Sequence, residues 1–329
     1  MTNVAILDRA SLEQQLPALR PELTSYCYRM LGSSFDAEDA VQETLMRAWR
    51  GVDGFRGDAA LRSWLLRIAT NVCLTHLRRA QRRALPMTVD QEPNSSSVLG
   101  APLPRNAWVE PVPDSWVIAP NLEPAALAVE RESVRLAFVA ALQVLTARQR
   151  AVLLLRDVLE FRVREVAELL GTTEDAVNAV LRRARARLAS WRPEPMPPIH
   201  DRRDRELLRR YVDAFERFDI DALVALLHKE ATLSMPPYAL WLRGTDAIGA
   251  WYRATGATCR NSRMVPISAN GAAGFGLYRH SADDGHHRAF AIQIIETAAH
   301  RITALHTFID PGLFRFFGLG SVLARASRR

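Results

Sequence analysis

Carboxylates recur at helical spacing in the segment DAEDAVQETLMRAW, residues 36–49. On a helix, the positions i, i+3, i+4 and i+7 share one face, and here they are Asp39, Gln42, Glu43 and Met46. The opposite face collects Val41, Leu45, Ala48 and Trp49. The segment therefore predicts an amphipathic helix with an apolar face for a core and an acidic face for solvent or a partner. This acidic face is a local exception, because the chain carries a formal charge of +7.

Arginines dominate the next helical segment. Residues 61–83 contain six arginines and no acid, interleaved with Trp64, Asn71, Thr75 and His76. A glycine-containing loop, DGFRGDAA, comes immediately before and carries Phe55. Arginines contact phosphates, while aromatic and amide groups stack on or hydrogen-bond to unpaired bases. The segment predicts a nucleic-acid surface, the alternative being a solvated basic helix. For Trp64 alone, a place in the core is favoured.

A helix-turn-helix pattern occupies REVAELLGTTEDAVNAVLRRARARLA, residues 164–189. An amphipathic helix ends at Gly171, and Thr172 or Thr173 can cap the following helix. Residues at the start of a second helix meet base edges and later ones meet phosphates. The candidate base readers are Glu174, Asp175, Asn178, Ala179 and Arg182. The candidate phosphate contacts are Arg183, Arg185 and Arg187.

Composition limits the class of protein. The length of 329 residues suggests two or three domains, and a pI near 9.9 weakly favours an anionic partner. No apolar run is long enough to cross a bilayer, and the start of the chain lacks the pattern of a signal peptide. The three cysteines have no metal-site or disulfide spacing. We therefore expect a cytoplasmic protein without a metal or other cofactor.

Proline content marks the domain boundaries. Eight prolines lie in residues 85–124, which predicts an extended linker. Its apolar residues, Trp108, Val109, Trp116, Val117 and Ile118, indicate that it is bound to something. A second break lies at residues 192–200. Beyond it, two helices precede segments of alternating polarity, which predicts an α+β module with helices and a curved antiparallel sheet over 201–329.

The motifs together resemble a known family. Residues 27–79, CYRMLGSSFDAEDAVQETLMRAW and onward, look like region 2 of an extracytoplasmic-function (ECF) sigma factor of the sigma-70 family. Residues 145–188 look like region 4, and the two regions cover roughly residues 17–190. With the WVEPVPD linker and the C-terminal extension, the SigG-type subgroup is the nearest match. The extension resembles a SnoaL-like (NTF2-like) cone.

The resemblance implies a multidomain fold and a set of partners. Two all-α sigma domains, region 2 over 1–84 and the helix-turn-helix of region 4 over 125–191, would be followed by the α+β cone. The partners implied are core RNA polymerase, through its β′ clamp and β flap, and promoter DNA, with no membrane. An intramolecular contact between the cone and the sigma domains is also implied. Such a cone would modulate activity in cis.

The resemblance also assigns residues. The polymerase clamp would be bound by Asp36, Glu38, Asp39, Gln42 and Glu43, which explains an acidic face on a basic protein. The melted −10 element would be held by Phe55, Arg56, Gly57, Asp58, Arg62, Trp64, Arg67, Asn71, Arg78 and Arg79. The duplex −35 element would be read by Thr173, Glu174, Asp175, Asn178, Ala179, Arg182, Arg183 and Arg185.

The C-terminal cone offers weaker signals. The side chains that could line its cavity are Tyr238, Trp241 and His306. Further candidates for acid–base chemistry are Arg243, His286, His287 and Asp310, but no acid–base spacing stands out and the two adjacent histidines read as a hairpin turn. Catalysis is therefore disfavoured against ligand binding or intramolecular packing. The tail residues Phe314, Phe316 and Phe317 could dock on another domain or cap the core of the cone.

Two other functions compete with a sigma factor. A ligand-sensing regulator could use the helix-turn-helix alone, but it would have no need of the acidic helix followed by an arginine-rich helix. A cone enzyme fused to a DNA-binding domain would need an acid–base pair.

Overall fold

The computed structural model describes residues 9–55, 61–78, 83–85, 99–119, 122–189 and 202–323. The chain forms two compact units, each discontinuous in sequence. The helical unit combines Met1–Arg83 with Ser115–Pro193, and the cone unit combines Ala84–Asp114 with Glu194–Arg329. Within the described residues, no helix has the length and apolarity needed to cross a membrane.

The helical unit begins with three long helices, α1 (Arg9–Leu31), α2 (Ser34–Gly51) and α3 (Leu61–Leu77). Ser33 fixes the start of α2, because its hydroxyl accepts a hydrogen bond from the amide of Asp36 at 3.2 Å. The buried face of α2 consists of Ser34, Ala37, Ala40, Val41, Thr44 and Ala48. The prediction that Trp49 belongs to this apolar face is wrong, since Trp49 is 38% exposed. Small residues at helical spacing make the contact instead, and they let α2 approach α1 and α3 closely.

The rest of the helical unit is a second group of helices. Its helices are α4 (Asp114–Val117), α5 (Pro124–Val134), α6 (Leu136–Leu142), α7 (Ala147–Leu153), α8 (Val163–Leu170) and α9 (Glu174–Leu188). A π-helical turn, Leu154–Val158, extends α7. Thr146 and Gln149 form a reciprocal capping box at the start of α7, which fixes where this helix begins.

The described residues of the cone unit form three α-helices and a sheet. The helices are α10 (Arg202–Glu216), α11 (Ile220–Val224) and α12 (Thr245–Arg253). The strands are β1 (Leu227–Ser234), β2 (Trp241–Arg243), β3 (Arg263–Ala269), β4 (Ala272–His280), β5 (His287–Ala298), β6 (Arg301–Phe308) and β7 (Val322–Leu323). The sheet order is β2-β1-β6-β5-β4-β3, and β7 pairs with β5.

The prediction of a purely antiparallel sheet is wrong at one pair. Strands β1 and β6 run parallel, with Leu233 opposite Leu305, so the sheet is mixed. The strand segments themselves lie where alternation predicted them. Alternation indicates which residues form a strand, but a parallel neighbour arises from a long crossover, which the local pattern does not record.

The aromatic tail belongs to the cone unit. Residues Pro311–Phe317 form a 3-10 helix in which Phe314 is 1% exposed. Its ring packs edge-on against Tyr278 at a centroid distance of 5.1 Å. Of the two alternatives for the tail, the structure therefore shows Phe314 capping the sheet of its own unit.

Candidate functional site

The acidic face of α2 is exposed and flanked by apolar side chains. Asp39 and Gln42 are exposed, and beside them Met46 is 52% exposed and Trp49 38%. Large apolar residues next to acids at a surface are typical of a protein-binding patch rather than of a solvated face. Trp49, which the sequence placed in the core, thus adds to this candidate surface.

Three of the five predicted polymerase contacts have partners within the helical unit. Asp36 accepts a hydrogen bond from Arg83 at 2.6 Å, and Arg83 is almost fully buried. Glu43 accepts from Arg47 at 2.5 Å, and this hydrogen bond holds the pKa of the Glu43 carboxyl below its usual range. Glu38 lines a groove of about 180 Å³ together with Trp116. Asp39 and Gln42 are therefore the residues best placed to meet a partner.

The predicted −10 residues that the structure describes fall into three groups: Phe55 with Trp64, a stripe on α3, and Arg62. Phe55 stands against Trp64 at a ring distance of 5.0 Å, and both rings are half-buried. Trp64 is thus a partly exposed partner of Phe55 rather than a fully buried core residue. Arg56, Gly57, Asp58 and Arg79 lie outside the described residues.

An exposed polar stripe runs along α3. Arg67, Asn71 and Thr75 follow one another at i, i+4 and i+8, and Arg78 continues the line just beyond the helix; all four are exposed. Helical spacing places them on one face, with donors separated by one turn. Such a stripe can follow the backbone of a single strand of nucleic acid.

Arg62 does not belong to this stripe. Its Nε donates to both carboxylate oxygens of Glu22, at 2.8 and 2.9 Å, and its Nη2 donates to the carbonyl of Leu159 at 3.3 Å. Its guanidinium also lies over the ring of Phe161, 4.5 Å from the centroid. The structure thus uses this predicted −10 residue to join α3 to the loop before α8.

The turn between α8 and α9 has the geometry of a helix-turn-helix. Gly171 adopts the left-handed conformation, with φ 60° and ψ 49°, which ends α8. Of the two candidate caps, Thr173 is the one used, because its hydroxyl accepts from the amide of Ala176 at 3.2 Å. The buried residues of α9 are Val177, Leu181 and Ala184.

The remaining face of α9 is available to DNA. Glu174, Asp175, Asn178, Arg182 and Arg183 are exposed, and Ala179 is half-buried. Arg185 differs, because it forms a bidentate ion pair with Asp157, in which its Nη2 and Nε donate at 2.7 and 3.0 Å. Arg185 can reach a phosphate only by leaving this partner, so Arg182 and Arg183 are the better placed arginines.

Two buried arginines join the two groups of helices in the helical unit. Arg29 donates to the carbonyl of Ser133 at 3.0 Å and to Glu130 at 2.8 Å. Burial lowers the pKa of Arg29, and Glu130 opposes that shift. Arg150 donates to the carbonyl of Met30 and to Gln143. Sequence reasoning missed both; Arg29 lies in the mostly apolar stretch YCYRML, whereas Arg150 follows Arg148 and Gln149 and carries no such signal.

The cone unit contains a cavity of about 270 Å³. Of the three predicted lining residues, only Tyr238 is in its wall. Trp241 is 1% exposed within the core, and His306 is buried with its Nδ1 2.8 Å from the hydroxyl of Ser234. Sequence reasoning missed Arg279, because a single arginine in a strand gives no signal of facing a cavity.

The described wall of the cavity lacks the side chains most often used for proton transfer. Its described residues include no histidine and no carboxylate. His286 lies in the connection before β5, as the sequence predicts, whereas His287 is the first residue of β5 and not part of the turn. Among the described residues, no cluster of three or more metal-ligating side chains is found.

Residues 99–114 form a strap across the cone unit. Trp108, 2% exposed, donates its indole N–H to the carbonyl of Pro237 at 3.0 Å, and Leu103 donates its amide to the same oxygen at 2.9 Å. Arg105 pairs with Asp310 at 2.5 Å. Trp108 and Val109, two of the apolar linker residues predicted to be bound, are therefore buried within their own chain.

The far end of the strap is fixed by Asn270. The backbone N–H of Val112 donates to Oδ1 of Asn270 at 2.9 Å, and the amide of Asn270 donates back to the carbonyl of Val112 at 3.1 Å. The next amide, of Gly271, donates to Asp114 at 2.8 Å. Asn270 has a positive φ of 54°, a conformation that asparagine tolerates better than most residues.

Comparison with known proteins identifies all three parts of the chain. Residues 18–83 match the family model of sigma-70 region 2, residues 135–188 match sigma-70 region 4, and residues 208–305 match the SnoaL-like domain. These ranges contain the acidic face of α2, the stripe on α3, the helix-turn-helix and most of the cavity wall.

Known sigma factors are similar to this chain over most of its length. The ECF RNA polymerase sigma factor SigG of Mycobacterium tuberculosis (strain H37Rv) is 43% identical over 307 residues, covering 91% of this chain and 81% of the relative. SigJ of the same strain is 31% identical over 240 residues, covering 71% of this chain and 70% of the relative. A crystal structure of M. tuberculosis SigJ covers 94% of this chain and all of its own, with a TM-score of 0.59 and 24% identity, which supports the fold. The chain belongs to the ECF RNA polymerase sigma factors of the sigma-70 family.

Proposed function

We propose that this sigma factor is restrained in cis by its cone unit, which holds the linker between the two sigma regions. Sigma factors bind core RNA polymerase and promoter DNA. In this proposal, Asp39 and Gln42 on α2 meet the polymerase clamp in the cytoplasm. The α3 stripe takes the −10 strand, and α9 reads the −35 duplex.

The observation that carries the proposal is the strap. Its contacts come from both ends and from its middle: Trp108 at Pro237, Arg105 at Asp310 and Val112 at Asn270. A strap with buried side chains and paired backbone groups is not a free tether. A linker held this way is unavailable to another partner until these contacts break.

The helical unit supports the same conclusion. Arg62 joins α3 to the loop before α8, and the contacts of Arg29 and Arg150 join α1 to the second group of helices. By their names, the two promoter elements lie about 25 base pairs apart, which is ~85 Å of duplex at about 3.4 Å per base pair. A direct side-chain contact between the two modules cannot persist across that distance, so the modules must separate on a promoter.

The cone unit acts as a regulator rather than an enzyme in this proposal. The support is chemical: the described wall of the cavity offers tyrosine and threonine hydroxyls, a thiol, an amide and one arginine. Proton transfer near neutral pH is most often performed by a histidine or a carboxylate.

The proposal is tested by loosening the strap without changing the linker or the DNA-binding residues. Asn270→Gly removes the side-chain oxygen that accepts from the backbone N–H of Val112, and it keeps the positive φ available. Asp310→Asn weakens the pairing with Arg105 and keeps an oxygen that can accept from the amide of Gly312, as Asp310 does at 2.8 Å. Asp213→Asn, which alters an exposed ion pair with Arg217, is the matched control.

The readout is transcription in vitro with core RNA polymerase and a template library carrying randomised −35 and −10 elements. Both strap variants are expected to give severalfold more transcript than the unchanged chain and the control, with the same selected promoter sequences. Equal transcript from all four proteins would reject regulation through the strap. A change in the selected sequences would mean that the variants act on promoter reading instead.

A further inference from the structure

The cavity of the cone unit has an unbalanced charge. Its wall is mostly apolar and aromatic, with contributions from Phe215, Trp251, Leu277 and Phe290. Among the described lining residues, the single formal charge is the guanidinium of Arg279. An apolar pocket with few convergent polar groups is the usual form of a small-molecule site.

Arg279 is incompletely satisfied. Its guanidinium lies 3.6 Å from the ring centroid of Phe290, and its buried Nε has no hydrogen-bond partner among the described residues. No carboxylate is found within ion-pair distance of Arg279 in the described parts of the chain. A buried donor left without an acceptor is costly, so this position favours a ligand that brings an acceptor.

The neighbouring groups do not supply the missing negative charge. Burial raises the pKa of the Cys259 thiol even though Arg279 opposes the shift, so the thiol stays neutral near pH 7. Burial likewise raises the pKa of Tyr252 well above its usual value. The amide of Gln293 is already committed, since it accepts from Tyr211 at 2.8 Å and donates to Thr307 at 2.9 Å.

The strap contributes to the same cavity. Leu99, at the start of the strap, lines it and packs against the core of the cone unit. Ile309, which lies beside Asp310, is in the wall as well. A molecule in the cavity therefore touches the linker and the segment that holds it.

We propose that the cone cavity is a binding site for a small apolar or aromatic carboxylate, with Arg279 as its counter-ion and Leu99 as the contact through which the ligand tightens the strap. The aromatic wall would bury the apolar body of the ligand. Arg279 would pair with the carboxylate, because charge-assisted hydrogen bonds in a desolvated site are the strong ones. The regulatory half of this inference rests on the proposed function; the binding half does not.

Binding is tested on the full chain with 2-naphthoate and its neutral partner of the same shape, 2-naphthamide, by titration calorimetry. The unchanged chain is expected to bind the carboxylate at least tenfold more tightly than the amide. Arg279→Gln should bind the two equally, whereas Arg279→Lys should keep a preference. Arg260→Gln removes another arginine that stacks on a ring, Phe218 at 4.4 Å, but lies outside the cavity wall, and it should behave as the unchanged chain.

Coupling to the strap is read by trypsin cleavage after Arg105. 2-Naphthoate should slow this cleavage in the unchanged chain, and Leu99→Ala should remove the protection while the variant still prefers the carboxylate. The binding site is refuted if the amide binds as tightly as the carboxylate, if neither binds, or if Arg279→Gln keeps the preference. Binding without protection at Arg105 refutes the coupling alone, and unchanged transcription by the strap variants leaves the binding result standing.

Discussion

At the scale of single residues, the helix-turn-helix shows what local chemistry determines. Gly171 and Thr173 carry signals that act within a few residues, a left-handed backbone and an N-cap, so the sequence places the turn between α8 and α9 correctly. Pairing is different: the partners of Arg62 and Arg185 lie 40 and 28 positions away. Sequence spacing could not show that these arginines are already engaged.

Asn178 is expected to read a base, whereas Arg183 is expected to hold a phosphate. Asn178→Ala should weaken binding at one −35 position by about 1–3 kcal/mol, because an asparagine can pair bidentately with adenine. Arg183→Ala should weaken all duplexes alike and lower the salt slope by about one. Competition binding with singly substituted −35 duplexes checks both predictions. If Asn178→Ala lowered the affinity for matched and mismatched duplexes equally, Asn178 would not be a base reader.

Asp39 is expected to contact polymerase and not DNA. Asp39→Arg should lower the affinity for core polymerase by about tenfold or more and leave −35 duplex binding unchanged. The reason is that a surface of polymerase complementary to the acidic face would repel the introduced positive charge. Glu13→Arg makes the same charge change at an exposed position of α1 and serves as control. Fluorescence anisotropy with labelled chain measures both affinities. Equal losses in the two variants would show a general charge effect and contradict a specific contact.

At the scale of helices and strands, periodicity predicted where helices and strands form. It did not predict which elements pack or pair with one another. The stripe that identified α2 also misplaced Trp49, because a helical wheel cannot tell a core from a partner-binding face. The mixed sheet has the same origin: the pairing of β1 with β6 joins segments about seventy positions apart. Neither Arg29 nor Glu130 has a local signal for their mutual contact.

The contact between α1 and α5 is expected to stabilise the closed helical unit. Glu130→Gln should lower the free energy of unfolding by about 1–2 kcal/mol, because the buried guanidinium of Arg29 loses a charged acceptor. Glu168→Gln removes an exposed ion pair with Arg164 one turn away and should cost much less, because solvent screens an exposed pair. Urea unfolding followed by circular dichroism gives both values. Equal losses in the free energy of unfolding for the two substitutions would show that the buried contact stabilises the unit no more than the exposed ion pair does.

At the scale of the whole molecule, the linker connects the sigma function to the cone unit. The sequence shows that apolar residues sit in a proline-rich linker and therefore need a partner, but the partner residues Pro237, Asn270 and Asp310 follow more than a hundred positions later. The family resemblance points to polymerase as the partner. In the structure the cone unit holds Arg105, Trp108 and Val112 of this linker, so the proposed function has polymerase and the cone unit compete for one segment.

Hydrogen exchange of the amides of Asn270 and Gly271 tests this competition most directly. Both amides belong to the cone unit and donate to strap atoms, on Val112 and Asp114. In the free chain they are expected to exchange slowly. With core polymerase and a promoter present, they should exchange about tenfold faster or more, because the strap has left them for polymerase. Equal protection of both amides in the free chain and in the transcription complex would contradict the account, since it would mean that the linker never leaves the cone unit.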